Sequence, residues 1–176
     1  AGPRWLTHEN VTIDFANDEL VSGTLSSPIS NTTIYCVWKM DTNYNGGSIM
    51  GQTTWANNKR LFWYPATASI YLWDGGTNSG IFSVADDPLV SPEAFVIRCD
   101  SSGYGEGRVN NDAFGTENNV QGLTTSSLAM KIGNRGAGTA RYLQGRISQL
   151  IVYPGEHTDT EVDSVMDYLN GIYSIW

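Results

Sequence analysis

Long apolar runs are missing from this sequence: none approaches the roughly 20 residues that a bilayer-spanning helix needs, so no membrane insertion is expected. Charge is also scarce. Only 16% of the residues are charged, and 10 Lys and Arg face 18 Asp and Glu, for a formal net charge of −8. That balance argues against a nucleic-acid partner, because phosphate binding needs a basic surface that releases counterions. A neutral or cationic ligand, or a divalent metal, stays compatible with it.

Cysteine is nearly absent as well. Cys36 and Cys99 sit in the apolar segments Ile34-Tyr35-Cys36-Val37-Trp38 and Phe95-Val96-Ile97-Arg98-Cys99. Two cysteines make no disulfide framework, and neither belongs to a CxxC or Cys/His cluster that would hold zinc. They read as buried free thiols acting as small hydrophobes, with a single inter-strand disulfide as the other reading.

Signatures of catalysis are missing too. Retaining glucanases space alternate carboxylates on one strand so that nucleophile and acid lie ~5 Å apart, and no strand here carries such a Glu-x-Asp-x-x-Glu run. The acidic residues Asp14, Asp18-Glu19, Asp86-Asp87 and those from Glu156 to Asp167 fall in turns or at a helix start. His8 and His157 have no Ser or Cys partner in a nucleophile motif. The Gly-rich stretch Gly133 to Gly138 lies between strands and reads as a turn, not as a phosphate loop. The start, Ala1-Gly2-Pro3, carries neither methionine nor signal peptide and is expected to be that of a mature or excised fragment.

What the 176 residues do hold is 19 Gly, 6 Trp, 9 Tyr and 40% hydrophobic residues, arranged as short apolar runs between polar breaks. This is strand punctuation. Strands are expected at Val11 to Phe15, Thr33 to Met40, Ser48 to Gln52, Arg60 to Tyr64, Ser69 to Trp73, Gly80 to Val84, Ala94 to Asp100, Gly107 to Asn110, Leu128 to Gly133 and Tyr142 to Tyr153. Asn45-Gly46-Gly47 and Asp74-Gly75-Gly76 tolerate the positive φ that hairpins require. With no helical periodicity between the strands, two packed antiparallel sheets are expected rather than alternating β and α units. The sequence shows no repeat and no linker, so residues 1–176 are expected to form one domain.

One helix stands out, from the cap Thr158 onward. Glu161 three residues later completes a capping box, and Asp159 and Glu161 suit the positive end of the helix dipole. Val162, Val165, Met166, Leu169 and Ile172 or Tyr173 recur at helical spacing, so that face is expected to pack on the sandwich.

The stretch from Leu128 to Tyr173 carries a more specific pattern. Leu128 to Asn134 ends in Ile132-Gly133-Asn134, a strand with Gly145-x-Ile147-x-Gln149-x-x-x-Tyr153 follows, then Thr158-Asp159-x-Glu161, and finally Tyr168-Leu169 and Tyr173. This resembles the concanavalin A-like lectin/glucanase superfamily in its laminin-G-like branch, although Gln149 stands where that family usually has a carboxylate. The resemblance implies a jelly-roll sandwich with a C-terminal helix. It also implies extracellular recognition, frequently of glycans, on phage tails, virions, adhesins or secreted glycosidases. Fold alone does not settle function.

Sugar binding also fits the side chains, since pyranose faces stack on indole or phenol rings while amides and guanidinium groups bond the hydroxyls. The candidate ligand-binding residues are Trp55, Asn57, Arg60, Trp63, Tyr71, Arg98, Tyr104 and Arg108. Trp55, in the polar loop Gln52 to Asn58, is the foremost of them because loops carry function on such scaffolds. Alternation puts Ile34, Cys36, Trp38 and Met40 on one face and Tyr35, Val37 and Lys39 on the other, so Lys39 and Arg98 are expected on the open face of one sheet. Calcium is compatible with Asp41-Thr42-Asn43, Asp86-Asp87 and Asp100-Ser101-Ser102, though no EF-hand pattern is present.

The reading that follows is a non-catalytic carbohydrate-recognition or attachment domain, extracellular or on a virion surface, with a cell-surface glycan or polysaccharide as partner. An assembly or decoration domain of a virion, as a homo-oligomer or within a larger assembly, is the first alternative. A divergent polysaccharide lyase or glycoside hydrolase is the second.

Overall fold

The computed structural model describes residues 13–16, 20–24, 31–42, 48–52, 60–64, 69–73, 78–83, 89–116, 118–119, 129–133 and 143–176. In chain order the strands are β1 (Ile13–Ala16), β2 (Leu20–Thr24), β3 (Thr32–Met40), β4 (Ser48–Gln52), β5 (Arg60–Tyr64), β6 (Ser69–Trp73) and β7 (Asn78–Ser83). Next come β8 (Glu93–Cys99), β9 (Tyr104–Val109), β10 (Asn118–Asn119), β11 (Ala129–Ile132), β12 (Gln144–Pro154) and helix α1 (Asp159–Tyr173). The strands form two six-stranded sheets, β1-β12-β3-β8-β9-β10 and β2-β11-β4-β5-β6-β7. Every pairing is antiparallel. The expected all-β class is therefore observed. Two strands that the apolar pattern leaves unmarked, β2 and β10, complete the sheets.

Strand alternation assigns the layers. Ile34, Cys36, Trp38 and Met40 of β3 join Phe95, Ile97 and Cys99 of β8 and Ile49, Ile70 and Leu72 of the second sheet in one buried inter-sheet core. Trp38 meets Phe95 edge-on, with ring centroids 6.2 Å apart. Cys36 and Cys99 are free and buried. Burial raises the Cys99 thiol to about 12, with the nearby carboxylates of Asp100 and Glu156 adding to it. Such a thiol stays protonated and unreactive at neutral pH.

The opposite face of the first sheet is not open to solvent. Tyr35 and Val37 of β3, Ala94 and Val96 of β8, and Ile151 of β12 pack against Val162, Met166 and Leu169 of α1. The helix begins with the expected capping box: Glu161 N–H donates to the Thr158 hydroxyl, and the Thr158 N–H donates to Glu161. It ends at Ser174, whose left-handed backbone (φ 51°) turns the chain back.

β12 serves both layers by means of a bulge. Its register against β3 shifts between Ile147 and Gln149, so one extra residue, Ser148, sits on the bulged strand. Ile147 faces the inter-sheet core before the bulge, and Leu150 and Val152 face it afterwards. Tyr173, in the last turn of α1, fixes the bulge by donating its hydroxyl to the Ser148 carbonyl (3.1 Å) or the Gln149 side chain (3.2 Å).

Candidate functional site

Arg98 and Arg108 lie on the helix-covered face, and both are engaged by α1. The Arg98 guanidinium donates from Nε to Glu106 (2.8 Å) and from NH1 to the His157 carbonyl (2.9 Å), and NH1 also lies 2.6 Å from Asp159. Arg98 NH2 pairs with Glu106 as well. Arg108 pairs with Asp163 at 2.6 Å. Both cations flank the Phe114 ring, at 4.2 and 5.1 Å from its centroid, a favourable cation–π geometry. Burial on its own would lower the Arg98 pKa, but the hydrogen bonds and charges of Glu106 and Asp159 outweigh it and hold it raised. Sequence alternation treats this face as open; the structure lays α1 across it and turns these arginines into fasteners for the helix start. Tyr104 is exposed on the same strand as Arg108, its N–H bonded to Asp100.

Beside this cluster Tyr35 and His157 are joined at 2.8 Å between the phenol oxygen and Nδ1, and Tyr153 stacks at 4.5 Å from the imidazole. Burial, reinforced by Tyr153 and Glu161, raises the Tyr35 pKa, so the phenol keeps its proton, and the imidazole tautomer decides which of the two groups donates. Burial lowers the His157 pKa below 6.5, partly opposed by Glu161. The unfolded chain then takes up this proton at a higher pH than the folded one, so stability is full above about pH 6.5 and falls as pH drops towards the lowered value. Urea unfolding across about pH 5 to 8 is expected to show this loss, and His157→Gln is expected to flatten it. An unchanged slope in the variant would assign the loss to other groups.

The second sheet carries the other candidates. Arg60 is paired with Trp73, Phe62 with Tyr71, and Tyr64 with Ser69, whereas Leu61 is opposite Leu72 and Trp63 opposite Ile70. Since Ile70 and Leu72 belong to the inter-sheet core, strand alternation puts position 63 on the core side. Positions 60, 71 and 73 share the outer side. Tyr71 is 8% exposed. Trp55 and Asn57 lie outside the described residues, in the segment leading into β5.

A further concave surface lies at the end of the sandwich, where the turn after β9 meets the chain after α1. This cleft of about 560 Å³ is lined by Val90, Ser91, Asn110, Asn111, Asp112, Ile175 and Trp176. Asn110 adopts a left-handed backbone (φ 50°); its N–H donates to the Ala94 carbonyl (2.7 Å), and its side chain accepts from the Ala94 N–H (3.0 Å). Asn170 accepts from the N–H groups of both Ile175 (2.8 Å) and Trp176 (2.9 Å), which fixes the chain end beside the turn. Sequence reasoning passes over this surface. Its parts come from three segments, 90–91, 110–112 and 175–176, and the available signal is an aromatic residue following a helix stop. Among the described residues no group of three or more His, Cys, Asp or Glu is placed to hold a metal ion. No helix among them is long and apolar enough to cross a membrane.

The sequence matches no family model and no curated protein. Solved structures share its fold. The botulinum neurotoxin serotype D binding domain superposes with a TM-score of 0.65 at 13% identity, over 89% of this chain and 42% of that one. Domain 4 of AbnA, an extracellular GH43 arabinanase of Geobacillus stearothermophilus solved with arabinotriose, gives 0.64 at 15% identity, over 84% of this chain and 72% of that one. The CBM40 module of Ruminococcus gnavus IT-sialidase, bound to α2,3-sialyllactose, gives 0.61 at 14% identity, over 89% and 97%. The chain thus has the β-sandwich fold of these solved structures.

Proposed function

We propose that residues 1–176 form one non-catalytic carbohydrate-recognition domain that acts outside the cell, as an attachment module of a phage tail, another virion appendage or a cell-surface protein. The observation that supports this most is the fold, shared with modules solved around sialyllactose and arabinotriose. The register supports the outer side of the second sheet as the place for the ligand. Arg60, Tyr71 and Trp73 occupy neighbouring positions on the outer side of the second sheet, and the segment with Trp55 and Asn57 leads directly into β5. Aromatic, guanidinium and amide side chains are the residue types that supply the apolar platform and the hydroxyl partners a saccharide needs.

A glycan array followed by calorimetry, with and without calcium, tests this reading. Binding of at least one saccharide is expected, and Trp55→Ala or Arg60→Ala is expected to weaken it about tenfold or more, the loss of roughly 1.4 kcal/mol that a central contact commonly carries. If no saccharide binds at millimolar concentration under either condition, the reading fails.

An assembly role draws on a different observation. An exposed apolar stripe runs over Tyr168 and Ile172, one turn apart on α1, and Trp176 beyond the Ser174 cap is 40% exposed as well, with Val90 also exposed in the cleft wall that Trp176 lines. Oligomerisation through this stripe would show as a concentration-dependent mass in light scattering, removed by Ile172→Glu. A constant monomer mass would exclude it.

A further inference from the structure

We infer that the cleft between the β9 turn and the chain end is a second saccharide subsite, selective for neutral pyranosides and separate from the outer side of the second sheet. The ligand class rests on the carbohydrate reading above; the location and selectivity rest on the cleft itself. Its volume of about 560 Å³ lies within the ~300–1,000 Å³ range of small-ligand clefts. Trp176, 40% exposed, gives an aromatic face on one side. The exposed side chains of Ser91, Asn111 and Asp112 supply a hydroxyl, an amide and a carboxylate on the others. One aromatic plane facing several short hydrogen-bonding groups matches a pyranose, whose faces are apolar and whose rim is hydroxylated.

Charge sets the selectivity. Among the described residues that line it none is Lys, Arg or His, and Asp112 is a carboxylate, in a chain of formal net charge −8. An anionic sugar would bring like charge to Asp112 with no cation in the cleft to offset it. A neutral sugar can instead donate its hydroxyls to that carboxylate, forming charge-assisted hydrogen bonds.

The walls are also set in advance. Asn110 holds the β9 turn through its two bonds to Ala94, and Asn170 holds Ile175 and Trp176 through their N–H groups. Walls fixed by such backbone bonds lower the ordering cost of binding.

Amide and indole N–H spectra of the isotopically labelled chain, titrated with methyl β-D-galactopyranoside, methyl α-D-glucopyranoside and sialyllactose, test the assignment. The neutral glycosides are expected to shift the signals of Asn111, Asp112 and the Trp176 indole. Sialyllactose is expected to leave them in place. Trp176→Ala is expected to weaken the neutral sugars at the cleft at least tenfold and Trp176→Phe to retain most of that binding; far-UV circular dichroism verifies that each variant is folded. Shifts confined to β5 and β6 would overturn the subsite while leaving the carbohydrate reading intact. Silence of both surfaces towards every probe, and of the glycan array, would overturn both. Equal shifts from sialyllactose would overturn the selectivity.

Discussion

Trp38→Ala is expected to lower the stability of the fold by about 3–5 kcal/mol, the usual cost of removing a large aromatic ring from a core. Trp38 is fully buried, lies edge-on to Phe95 at 6.2 Å, and stands opposite Ile147 on β12 and Glu93 on β8. It therefore joins three strands of one sheet and faces the other sheet. Truncation leaves a void that these strands cannot close without breaking their ladders, so the lost transfer energy and the cavity both count. For a domain of this size, roughly 2–4 °C of melting temperature per kcal/mol converts the expected loss into a large, easily measured drop. Urea unfolding should show the midpoint falling at constant slope. A loss below about 1 kcal/mol, typical of surface-like sites, would mean that the layer around Trp38 is loosely packed.

Gly145→Ala is expected to be at least as damaging for a purely steric reason. A Cβ at Gly145 would overlap the Lys39 carbonyl oxygen and stand 2.8 Å from the Met40 Cα. Both are backbone atoms of the neighbouring strand, so no side-chain rotation relieves the clash. Separating β12 from β3 at this rung is the remaining way out, and a cost on the order of 3 kcal/mol or more follows. Gly171→Ala provides the contrast. Nothing lies within 4 Å of a Cβ at that position, which is inside α1, so a gain of up to about 1 kcal/mol from helix propensity is expected. Soluble yield and denaturant midpoints of the two variants should move in opposite directions; similar midpoints would show that β12 and β3 can part at little cost.

The pattern from Leu128 to Tyr173 now has a physical explanation for much of its length. Gly145 allows close approach of β3, Ile147 fills the core, and Gln149 meets Tyr173. Tyr153 lies against Tyr35 and His157, while Thr158 and Glu161 cap α1. These residues hold the helix to the sheet. The resemblance was therefore informative about architecture and silent about the ligand. Gln149, which departs from the usual carboxylate, still finds a phenol partner, so this departure leaves the fold intact.

Elsewhere legibility followed burial. β4, β5 and β6 have the bounds that their apolar runs mark out, because turn residues on both sides interrupt the pattern sharply. β2 and β10 escaped notice. Leu20-Val21-Ser22-Gly23-Thr24 has only two large apolar residues, and Asn118-Asn119 has none; their place comes from ladder pairing with β11 and β9, which one-dimensional pattern does not encode. The site was less readable still. Arg98 and Arg108 look like exposed cations on alternating strands; Glu106 of the neighbouring strand pairs with Arg98, and the docking of a helix from 55 or more residues further along adds Asp159 and Asp163. The cleft at Trp176 likewise arises only when distant segments converge.

The extra residue in β12 has a consequence for how this chain tolerates change in length. Since Ile147 pairs with Trp38 before the extra residue and Gln149 with Val37 after it, deleting Ser148 would leave a regular ladder in which Ile147, Leu150 and Val152 still face the space between the sheets and Ile151 and Tyr153 still face the helix, and only the local bend and twist would be lost. One more inserted residue is different: unless it forms a second bulge it reverses which side chains look inward, whereas surface turns have no such parity to keep. Evolutionary drift and protein engineering alike are then free to lengthen the surface turns, but in this one strand only the extra residue can be given up without turning the side chains over.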